Sequence, residues 1–259
     1  MKTKLSNKVI LITGATSGIG EATAKAFAAE GANVILTGRR KERLQSLSHF
    51  ILKKYNVKTL TIHLDVRNKN EVEKSINSLP DEWKKIDILV NNAGLGRGLN
   101  PLFEDDINGW EEMIDTNIKG LLYVTRFVVP GMVERKSGHV INIGSIAGHE
   151  AYKGGGVYCA TKHAVTAITR SLRLDLLGKG VRVSTVDPGM VETEFSLVRF
   201  YGDKEKAKKV YEGLIPLKGE DIAEAVIFCA TRPPHANINE MIIMPSAQAN
   251  AFFSYRETD

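Results

Sequence analysis

Cysteine is scarce in this sequence, and its histidines form no metal-binding pattern. The chain has two cysteines, Cys159 and Cys229, which are not spaced as a Cys-x-x-Cys pair. Proteins held together by disulfides are rich in cysteine, so this class is excluded and a reducing compartment is expected. The six histidines lie far apart, with no His-x-x-His or His-Glu-x-x-His group, so the sequence predicts no metal site.

Long apolar runs and segments of a single charge are also missing. No apolar run is long enough to cross a bilayer, and the polar stretch Met1–Lys8 lacks the apolar centre of a signal peptide. The net charge of +5 comes from Lys and Arg interspersed with Asp and Glu, as on an ordinary solvated surface. We therefore expect a cytoplasmic protein with no membrane or nucleic-acid partner. A basic nucleic-acid binder is an alternative class, and its association would depend steeply on salt.

What the chain does have is a regular alternation of short apolar runs and amphipathic stretches. Continuous apolar runs indicate strands covered on both faces, as in a parallel sheet flanked by helices. Helices are predicted over Gly20–Glu30, closed by Gly31, and over Arg40–Tyr55. The predicted strands are Lys8–Thr13, Asn33–Thr37, Thr59–Leu64, Ile86–Asn91, His139–Ile143, Arg182–Val186 and Met241–Met244. The pattern predicts an α/β fold, a single Rossmann-like domain over residues 1–259 with a doubly wound parallel sheet of about seven strands.

One segment, at about residues 190–217, departs from the alternation. It follows a strand but mixes apolar residues with a charged helix over residues 203–211. A segment of this length outside the repeating pattern is a candidate lid or substrate loop. Its apolar side chains would form either a cover that excludes water or a contact between subunits, and they are Phe195, Leu197, Phe200 and Tyr211.

A glycine-rich turn follows the first predicted strand and leads into a helix. Glycines at this point let the backbone turn sharply and approach a pyrophosphate, whose charge is favoured at the helix N-terminus. The spacing is Gly-x-x-x-Gly-x-Gly and not the more widely shared Gly-x-Gly-x-x-Gly, so a packing turn is the alternative. The candidate dinucleotide-binding residues here are Gly14, Thr16, Ser17, Gly18, Ile19 and Gly20.

The end of the second strand indicates which dinucleotide is bound. An acidic residue at this place would bind the ribose hydroxyls of NAD, but the chain has Arg39 and Arg40 instead. Two guanidinium groups can offer charge-assisted hydrogen bonds to a 2′-phosphate. The sequence therefore predicts NADP(H), with two solvent-facing arginines at a helix start as the alternative.

Two further segments fit the same site. Asp65 and Val66 follow the third strand, where a carboxylate can bind the adenine amino group. Asn92, Ala93 and Gly94 follow the fourth strand, where small residues permit close contact with the cofactor. Each segment taken alone could equally be a helix cap or a turn.

A phenol and an ammonium four residues apart, Tyr158 and Lys162, lie on one face of a predicted helix. Oxidising an alcohol requires a base for the hydroxyl proton, yet a free phenol, with a pKa of about 10, is a poor base near pH 7. One cation at about 4 Å contributes on the order of 4 kcal/mol, roughly three pKa units as an upper bound. Ser145, at the end of strand five, would hold the substrate oxygen. For the Tyr-x-x-x-Lys spacing taken alone, the alternative to a catalytic role is an ordinary pair of side chains on the surface of a helix.

These motifs together resemble the short-chain dehydrogenase/reductase family, in the expected order and over nearly the whole chain. The resemblance is carried by Thr13–Gly20, Asn91–Gly94, Asn117, Ser145, Tyr158, Lys162 and Pro188-Gly189. It implies that Tyr158 is the general acid/base, that Ser145 polarises the substrate oxygen, and that Lys162 also binds the nicotinamide ribose.

The same resemblance assigns roles outside this trio. Asn117 would support a proton relay through water to the catalytic lysine. The nicotinamide carboxamide would be held by Pro188, Gly189, Val191 and Thr193. Members of the family are usually homotetramers or homodimers built through two long helices, here expected near Trp110–Glu134 and Tyr158–Leu177.

Further segments resemble the NADP-dependent 3-hydroxy acid dehydrogenases, a group that includes serine 3- and allo-threonine dehydrogenases. They are Asn91–Leu95, Met113–Asn117, Pro130–Arg135, Glu194–Phe200 and Pro234–Asn239. This resemblance implies a small-molecule substrate such as serine, allo-threonine, 3-hydroxyisobutyrate, 3-hydroxypropionate or a semialdehyde. Arg199 is the first candidate to bind its carboxylate, and Lys153, where the group has a small residue, is the second. The alternative for both is a solvated surface charge. The alternatives are a reductase of bulkier ketoacyl, steroid or quinone carbonyls, and a non-catalytic NADP sensor.

Overall fold

The computed structural model describes residues 3–257 and contains a seven-stranded parallel sheet of order β3-β2-β1-β4-β5-β6-β7. Its strands are β1 (Val9–Ile12), β2 (Asn33–Gly38), β3 (Thr59–His63), β4 (Ile88–Asn91), β5 (Gly138–Ile143), β6 (Val181–Pro188) and β7 (Glu240–Ile243). The predicted doubly wound α/β fold is confirmed. The first and last residues of the predicted domain, Met1 and Asp259, lie outside the described range.

Helices cover both faces of the sheet. They are α1 (Gly18–Ala29), α2 (Lys41–Tyr55), α3 (Lys69–Asn77), α4 (Asp81–Lys84), α5 (Ile107–Ile114), α6 (Leu121–Glu134), α7 (Gly156–Asp175), α8 (Glu194–Arg199), α9 (Lys204–Lys209) and α10 (Gly219–Ala230). None of the helices within residues 3–257 combines the length and the apolarity that a membrane span requires. Within the same residues, no group of three or more His, Cys, Asp or Glu side chains is arranged to hold a metal ion.

The core consists of two apolar layers, one on each face of the sheet. Successive side chains of β1 point to opposite faces. Ile10 and Ile12 accordingly pack in one layer with Phe27 of α1, while Val9 and Leu11 pack in the other. All four residues of β1 are buried, which explains the continuous apolar run in the sequence. Burying each large apolar side chain contributes about 1.5–3 kcal/mol.

The sheet order places the carboxyl ends of β1 and β4 side by side at the point where the chain reverses direction across the sheet. β1 pairs with β2 on one edge and with β4 on the other, both in parallel. In open sheets of this kind, ligands bind in the crevice outside the carboxyl ends at such a switch point. The fold therefore positions a site where the loops after β1, β4, β5 and β6 meet.

Most element boundaries differ from the predicted ones by one or two residues. β6 extends to Pro188 because β7 continues to pair beside it, with Asp187 opposite Ile242. α1 begins at Gly18, two residues earlier than predicted. The long helix predicted over Trp110–Glu134 is interrupted, since a π-helical turn, residues 115–120, joins α5 to α6. A π turn shifts the hydrogen-bond register without changing the apolar spacing greatly, so the sequence pattern does not reveal it.

The segment predicted as a substrate loop contains α8 and α9, and its two ends are paired. Val191 and Leu217 form a parallel bridge, in which the amide of Leu217 donates to the carbonyl of Met190 at 3.0 Å. The segment therefore leaves the sheet and returns to the same place beside the carboxyl end of β6.

Candidate functional site

A cleft of about 530 Å³ lies at the carboxyl ends of the central strands. It brings together every predicted site residue except Gly20, which packs against Gly14 of the lining, and Asn117, which is bonded to Leu95 of the lining. Lining the cleft are Gly14, Thr16, Ser17, Gly18, Ile19, Arg39, Arg40, Asp65, Val66, Asn92, Ala93, Gly94, Ser145, Tyr158, Lys162, Pro188, Gly189, Val191, Thr193 and Arg199. Lys153, the second carboxylate candidate, also lines it.

The glycine-rich turn has the geometry of a phosphate-binding loop. Gly14 and Gly18 have φ angles of +66° and +54°, which favour glycine over residues with a side chain. A Cβ at Gly20 would lie 2.4 Å from the carbonyl oxygen of Gly14, so this close approach also requires glycine. The turn leads directly into the first turn of α1, whose amide groups and dipole favour an anion.

Arg40, predicted to bind a 2′-phosphate, lies beside this turn. Its Nη2 donates to the hydroxyl oxygens of Thr16 at 2.8 Å and Ser17 at 2.6 Å. Its Nη1 donates to Glu194 of α8 at 2.6 Å, and the same carboxylate accepts from Arg43 at 2.6 Å. Burial raises the pKa of Glu194, but the two arginines lower it overall.

Arg39 is held less firmly than its neighbour. Its side chain is 52% exposed, and its Nη1 lies 3.9 Å from Glu112. An exposed pair at this distance is weak. The guanidinium of Arg39 is therefore available at the rim of the cleft, whereas that of Arg40 is fixed at the glycine-rich turn.

Asp65, predicted to bind the adenine amino group, is already bound by a neighbour. Arg67 donates to its carboxylate through Nε at 3.0 Å and Nη2 at 2.6 Å. Burial raises the pKa of Asp65, but hydrogen bonds from Arg67 lower it overall. The carboxylate is thus fixed in its ionised form at the wall of the cleft, with Val66 beside it.

Asn92 joins the ends of β1 and β4. Its Nδ2 donates to the carbonyl oxygens of Thr13 at 2.9 Å and Gly14 at 3.2 Å. The hydroxyl of Thr13 in turn accepts from the backbone amides of Asn92 and Ala93, both at 3.0 Å. These four bonds fix the loop Asn92–Gly94 against the glycine-rich turn, so the two loops form one rigid floor.

Ser145, Tyr158 and Lys162 meet at the centre of the cleft. Ser145 caps the short helical turn after β5, and its hydroxyl accepts from the amide of Ala147 at 3.1 Å. The Nζ of Lys162 lies 5.9 Å from the centre of the Tyr158 ring and donates to the carbonyl of Ile143 at 3.0 Å. The Tyr–Lys spacing thus brings the phenol and the ammonium to one side of α7, facing the end of β5.

The titration of these groups follows from their burial. Burial raises the pKa of Tyr158, while the charge of Arg199 and a hydrogen bond with Ser145 act in the opposite direction. Burial lowers the pKa of Lys162 to about 8. A phenol with nearby cations can exchange a proton more readily than a phenol buried alone, so the cluster is suited to acid/base chemistry.

Asn117 lies in the π-helical turn, and its side chain is fully engaged. Its Nδ2 donates to the carbonyl of Leu95 at 2.9 Å and the hydroxyl of Thr161 at 3.0 Å, and its Oδ1 accepts from the amide of Leu95 at 2.9 Å. The side chain therefore ties the loop after β4 to α7. This geometry positions the cluster, and the expected relay role of Asn117 stays a prediction.

Arg199, at the end of α8, projects over the phenol. Its guanidinium carbon lies 4.7 Å from the centre of the Tyr158 ring and 4.9 Å from that of Phe195. Its Nη2 donates to the hydroxyl of Tyr152 at 3.1 Å. Its Nε is buried without a hydrogen-bond partner among the residues that the structure describes. A Cβ at Gly96 would lie 2.8 Å from this nitrogen, so the glycine makes room for the guanidinium.

Comparison with known proteins identifies the family of this chain. Residues 8–200 match the short chain dehydrogenase family. The chain belongs to this family. The resemblance inferred from the sequence is therefore confirmed.

Two proteins similar to this chain are named for activity on hydroxy acids. The chain is 52% identical over 247 residues to the NADP-dependent 3-hydroxy acid dehydrogenase YdfG of Salmonella typhi, covering 95% of this chain and 98% of the relative. It is 46% identical over 250 residues to serine 3-dehydrogenase of Rhizobium radiobacter, covering 96% and 98% of the two chains. The closed form of serine dehydrogenase complexed with NADP+ aligns with a TM-score of 0.90 and 49% identity, covering 96% of this chain and 100% of that one.

Several residues that shape this dehydrogenase site were missed in the sequence. The hydroxyl groups of Thr13 and Thr161 accept hydrogen bonds from Asn92 and Asn117, and no spacing in the sequence indicates these contacts, although Thr13 begins the glycine-rich motif. Tyr152 and Glu194 are bound to arginines that are 47 and 154 residues away in the sequence, so no local spacing indicates them. The pair Asp65 and Arg67 is the exception, because its i, i+2 spacing of opposite charges could have been recognised.

Proposed function

We propose that this chain transfers a hydride between NADP(H) and a small 3-hydroxy acid or the matching semialdehyde. One observation carries the proposal: Arg199 lies over Tyr158, with its guanidinium carbon 4.7 Å from the ring centre. A cation and an acid/base phenol so close together suit a small molecule whose hydroxyl and carboxylate are two carbons apart. The proposal agrees with the activities named for the relatives.

The cleft fits NADP(H). The glycine-rich turn provides an anion-binding helix start, and any side chain at Gly20 would fill the space at the carbonyl of Gly14. Arg40 and Arg39 supply two guanidinium groups for the 2′-phosphate. The adenine lies beside Asp65 and Val66 in this proposal, and the nicotinamide end lies near Thr193. NADP+, when bound, accepts the hydride from the carbinol carbon of the substrate, and NADPH returns it in the reverse direction.

Tyr158 is the general acid/base in this proposal. Its hydroxyl takes the proton of the substrate alcohol during oxidation and returns it during reduction of the carbonyl. Lys162 stabilises the phenolate electrostatically and binds the nicotinamide ribose. Ser145 donates to the substrate oxygen and stabilises the charge that develops on it.

Arg199 binds the substrate carboxylate. Its buried Nε has no partner among the described residues, so an acceptor oxygen on the substrate would satisfy this N–H. An unpartnered N–H beside a second guanidinium nitrogen can form the forked pair that arginine makes with carboxylates. Lys153 is exposed at the rim of the cleft and is the second candidate for this role.

The segment of residues 190–217 covers the reacting groups. Phe195 lies with its ring centre 5.5 Å from that of Tyr158, and Tyr211 bonds the hydroxyl of Ser196 at 2.7 Å. These contacts would exclude water while leaving the phenol open to the substrate. The assembly as a homotetramer or homodimer, and the cytoplasmic location, stay predictions.

A turnover screen tests the proposal. The purified protein is given serine, allo-threonine, 3-hydroxyisobutyrate and 3-hydroxypropionate, each with NADP+ and with NAD+, and the absorbance of the reduced nicotinamide is followed. We expect turnover with at least one hydroxy acid and a clear preference for NADP+. Activity confined to bulky ketones or quinones would replace the 3-hydroxy acid assignment, and NADPH binding without any turnover would favour a sensor.

A further inference from the structure

Lys162 carries its charge in a buried position. The residue is only 7% exposed, and its Nζ is held by the carbonyl of Ile143 at 3.0 Å. It forms no direct ion pair within residues 3–257. A carbonyl dipole alone does not offset the cost of burying an ammonium, so such a lysine tends to lose its proton. A second source of negative potential is needed for Lys162 to act as a cation beside Tyr158.

Asp187, near the end of β6, is an acidic residue whose charge acts on Lys162. The residue is fully buried, and two hydrogen bonds fix its carboxylate. The hydroxyl of Thr185 donates to Oδ1 at 2.5 Å, and the Nε2 of His149 donates to Oδ2 at 2.9 Å. Donors on both oxygens favour the ionised form over the protonated one.

Asp187 lies directly beneath the end of β5. A Cβ at Gly144 would be 1.9 Å from Oδ1 of Asp187, so glycine is required next to Ser145 to leave room for the carboxylate. Thr185 is paired with Asn142, which donates to Thr169 of α7. Since side chains two apart on a strand share a face, Asp187 points toward α7, the helix that carries Lys162.

We propose that Asp187 is a positioning residue that acts through Lys162, and that its buried carboxylate keeps the Lys162 ammonium charged in the site. The inference rests on the proposed function, because the charge on Lys162 matters there for the acidity of Tyr158. The electrostatics of the two residues agree with this geometry. Burial lowers the pKa of Lys162 to about 8, and the charge of Asp187 acts against this decrease. Burial raises the pKa of Asp187, while its hydrogen bonds and the charge of Lys162 counteract the increase.

Other charged groups face this carboxylate from the elements around it. Arg170 of α7 interacts with Asp187 through its charge, but its guanidinium is bound by Glu240 of β7 at 2.8 Å. His149, in the turn after β5, is the direct partner, and its side chain is 18% exposed. Arg170 is thus neutralised by its own acidic partner, and Asp187 stays available to Lys162.

The direct test measures the charge of Lys162 by NMR without substrate or cofactor. Protein labelled with ¹³C at lysine Cε is titrated, and the Lys162 signal is assigned from its loss in Lys162→Met. We expect Asp187→Asn, which removes the charge and keeps the shape, to lower the Lys162 titration midpoint by about one pH unit or more. Asp187→Glu should restore most of the shift. Asp187→Ser, which leaves room for a water, provides the same test if the Asn variant fails to fold.

The matched control is Asp175→Asn, the same substitution at an exposed carboxylate at the end of α7. It should leave the Lys162 midpoint unchanged, since Asp175 lies at the surface and not beneath Gly144. Thermal unfolding checks that each variant is folded. An unchanged midpoint in a folded Asp187→Asn or Asp187→Ser variant would overturn the proposal.

The consequence for the reaction is read separately from the pH profile of alcohol oxidation. If Lys162 is neutral at pH 7, it no longer lowers the pKa of Tyr158. The rising limb of kcat/KM should then move to higher pH in Asp187→Asn, with about a tenfold loss at pH 7 that is recovered at alkaline pH. A shifted lysine midpoint with an unmoved limb would overturn the link to Tyr158. A shifted midpoint in an enzyme that oxidises none of the hydroxy acids would reject the proposed function and leave the role of Asp187 intact.

Discussion

Glu194 and Arg40 are joined by an ion pair of 2.6 Å that links two parts of the site. Arg40 lies at the end of β2, beside the glycine-rich turn, and Glu194 begins α8 in the segment of residues 190–217. In the proposed binding mode, the carboxylate occupies the position where the 2′-phosphate would meet the guanidinium. Both side chains are partly exposed, 40% and 38%, so the pair can exchange one anion for another.

The first prediction concerns Glu194→Gln. The glutamine keeps the size of the side chain but removes the anion that competes with the 2′-phosphate for Arg40. We expect the Kd of NADPH to fall about two- to fivefold, as fits a partly exposed ion pair, with the Kd of NADH unchanged. Fluorescence titration measures both constants. Glu205→Gln, in the same segment, is the control for loss of one charge, and a weaker affinity for NADPH in Glu194→Gln would mean that Glu194 helps to bind the cofactor.

The second prediction separates the two arginines. Arg40→Ala should raise the Kd of NADPH by about ten- to a hundredfold, since charge-assisted hydrogen bonds contribute about 1.5–3 kcal/mol. Arg39→Ala should have a smaller effect, because that side chain is 52% exposed. NADH binding should change little in both variants. Equal losses for NADPH and NADH would refute the role of these arginines in binding the 2′-phosphate.

The sequence was sufficient for the fold and for the cleft residues that lie in motifs at the strand ends, because both follow from local patterns. Short runs of apolar and β-branched residues marked the seven strands, and motifs at strand ends fall in one place because parallel strands end at one edge of the sheet. The ion pair of Glu194 with Arg40 could not be predicted, since it joins residues 154 positions apart and depends on where the 190–217 segment folds. The place of Asp187 beneath Gly144 likewise depends on the register of β5 and β6.

The third prediction is that Tyr158→Phe abolishes turnover and leaves the cofactor site intact. Loss of a positioned acid/base costs typically 10²–10⁴-fold in rate, whereas the ring packing against Phe195 is kept. We expect kcat to fall by at least about a hundredfold, with the Kd of NADPH within twofold of the original. The control is Tyr255→Phe, whose ring is 72% exposed at the surface. Substantial remaining activity in Tyr158→Phe would rule out the acid/base assignment.

The fourth prediction concerns stability in acid. His139 is buried in β5, with Nε2 bound to Ser184 at 2.8 Å, and burial lowers its pKa well below the usual 6.5. Below about pH 6.5, the unfolded chain takes up a proton on this residue that the folded chain does not, so the free energy of unfolding falls as the pH falls. Urea unfolding at several pH values measures this slope. His139→Gln should flatten it, whereas the exposed His49→Gln should leave it unchanged.

The last prediction tests Arg199 as the group that binds the substrate carboxylate. Arg199→Gln should raise the KM for the preferred hydroxy acid by about ten- to a hundredfold and change kcat only a few-fold, because the lost interaction is present in both ground and transition states. The charge of Arg199 also lowers the pKa of Tyr158, so its removal moves the rising limb of the oxidation profile to higher pH. The KM and kcat values of the two enzymes must therefore be compared at an alkaline pH, where the rate of each enzyme no longer changes with pH.

Two controls separate binding of the carboxylate from this electrostatic effect. Ethanolamine is serine without its carboxylate, and its weak oxidation should be the same in both enzymes at the alkaline plateau. Lys153→Gln, which removes the second candidate for the carboxylate, should leave the KM for the hydroxy acid nearly unchanged. A KM that rises in Lys153→Gln and not in Arg199→Gln would assign the carboxylate to Lys153 at the exposed rim of the cleft. The ion pair lost there would contribute only about 0.2–1 kcal/mol to binding. The size of the KM change thus distinguishes a carboxylate held against the phenol from one held at the surface.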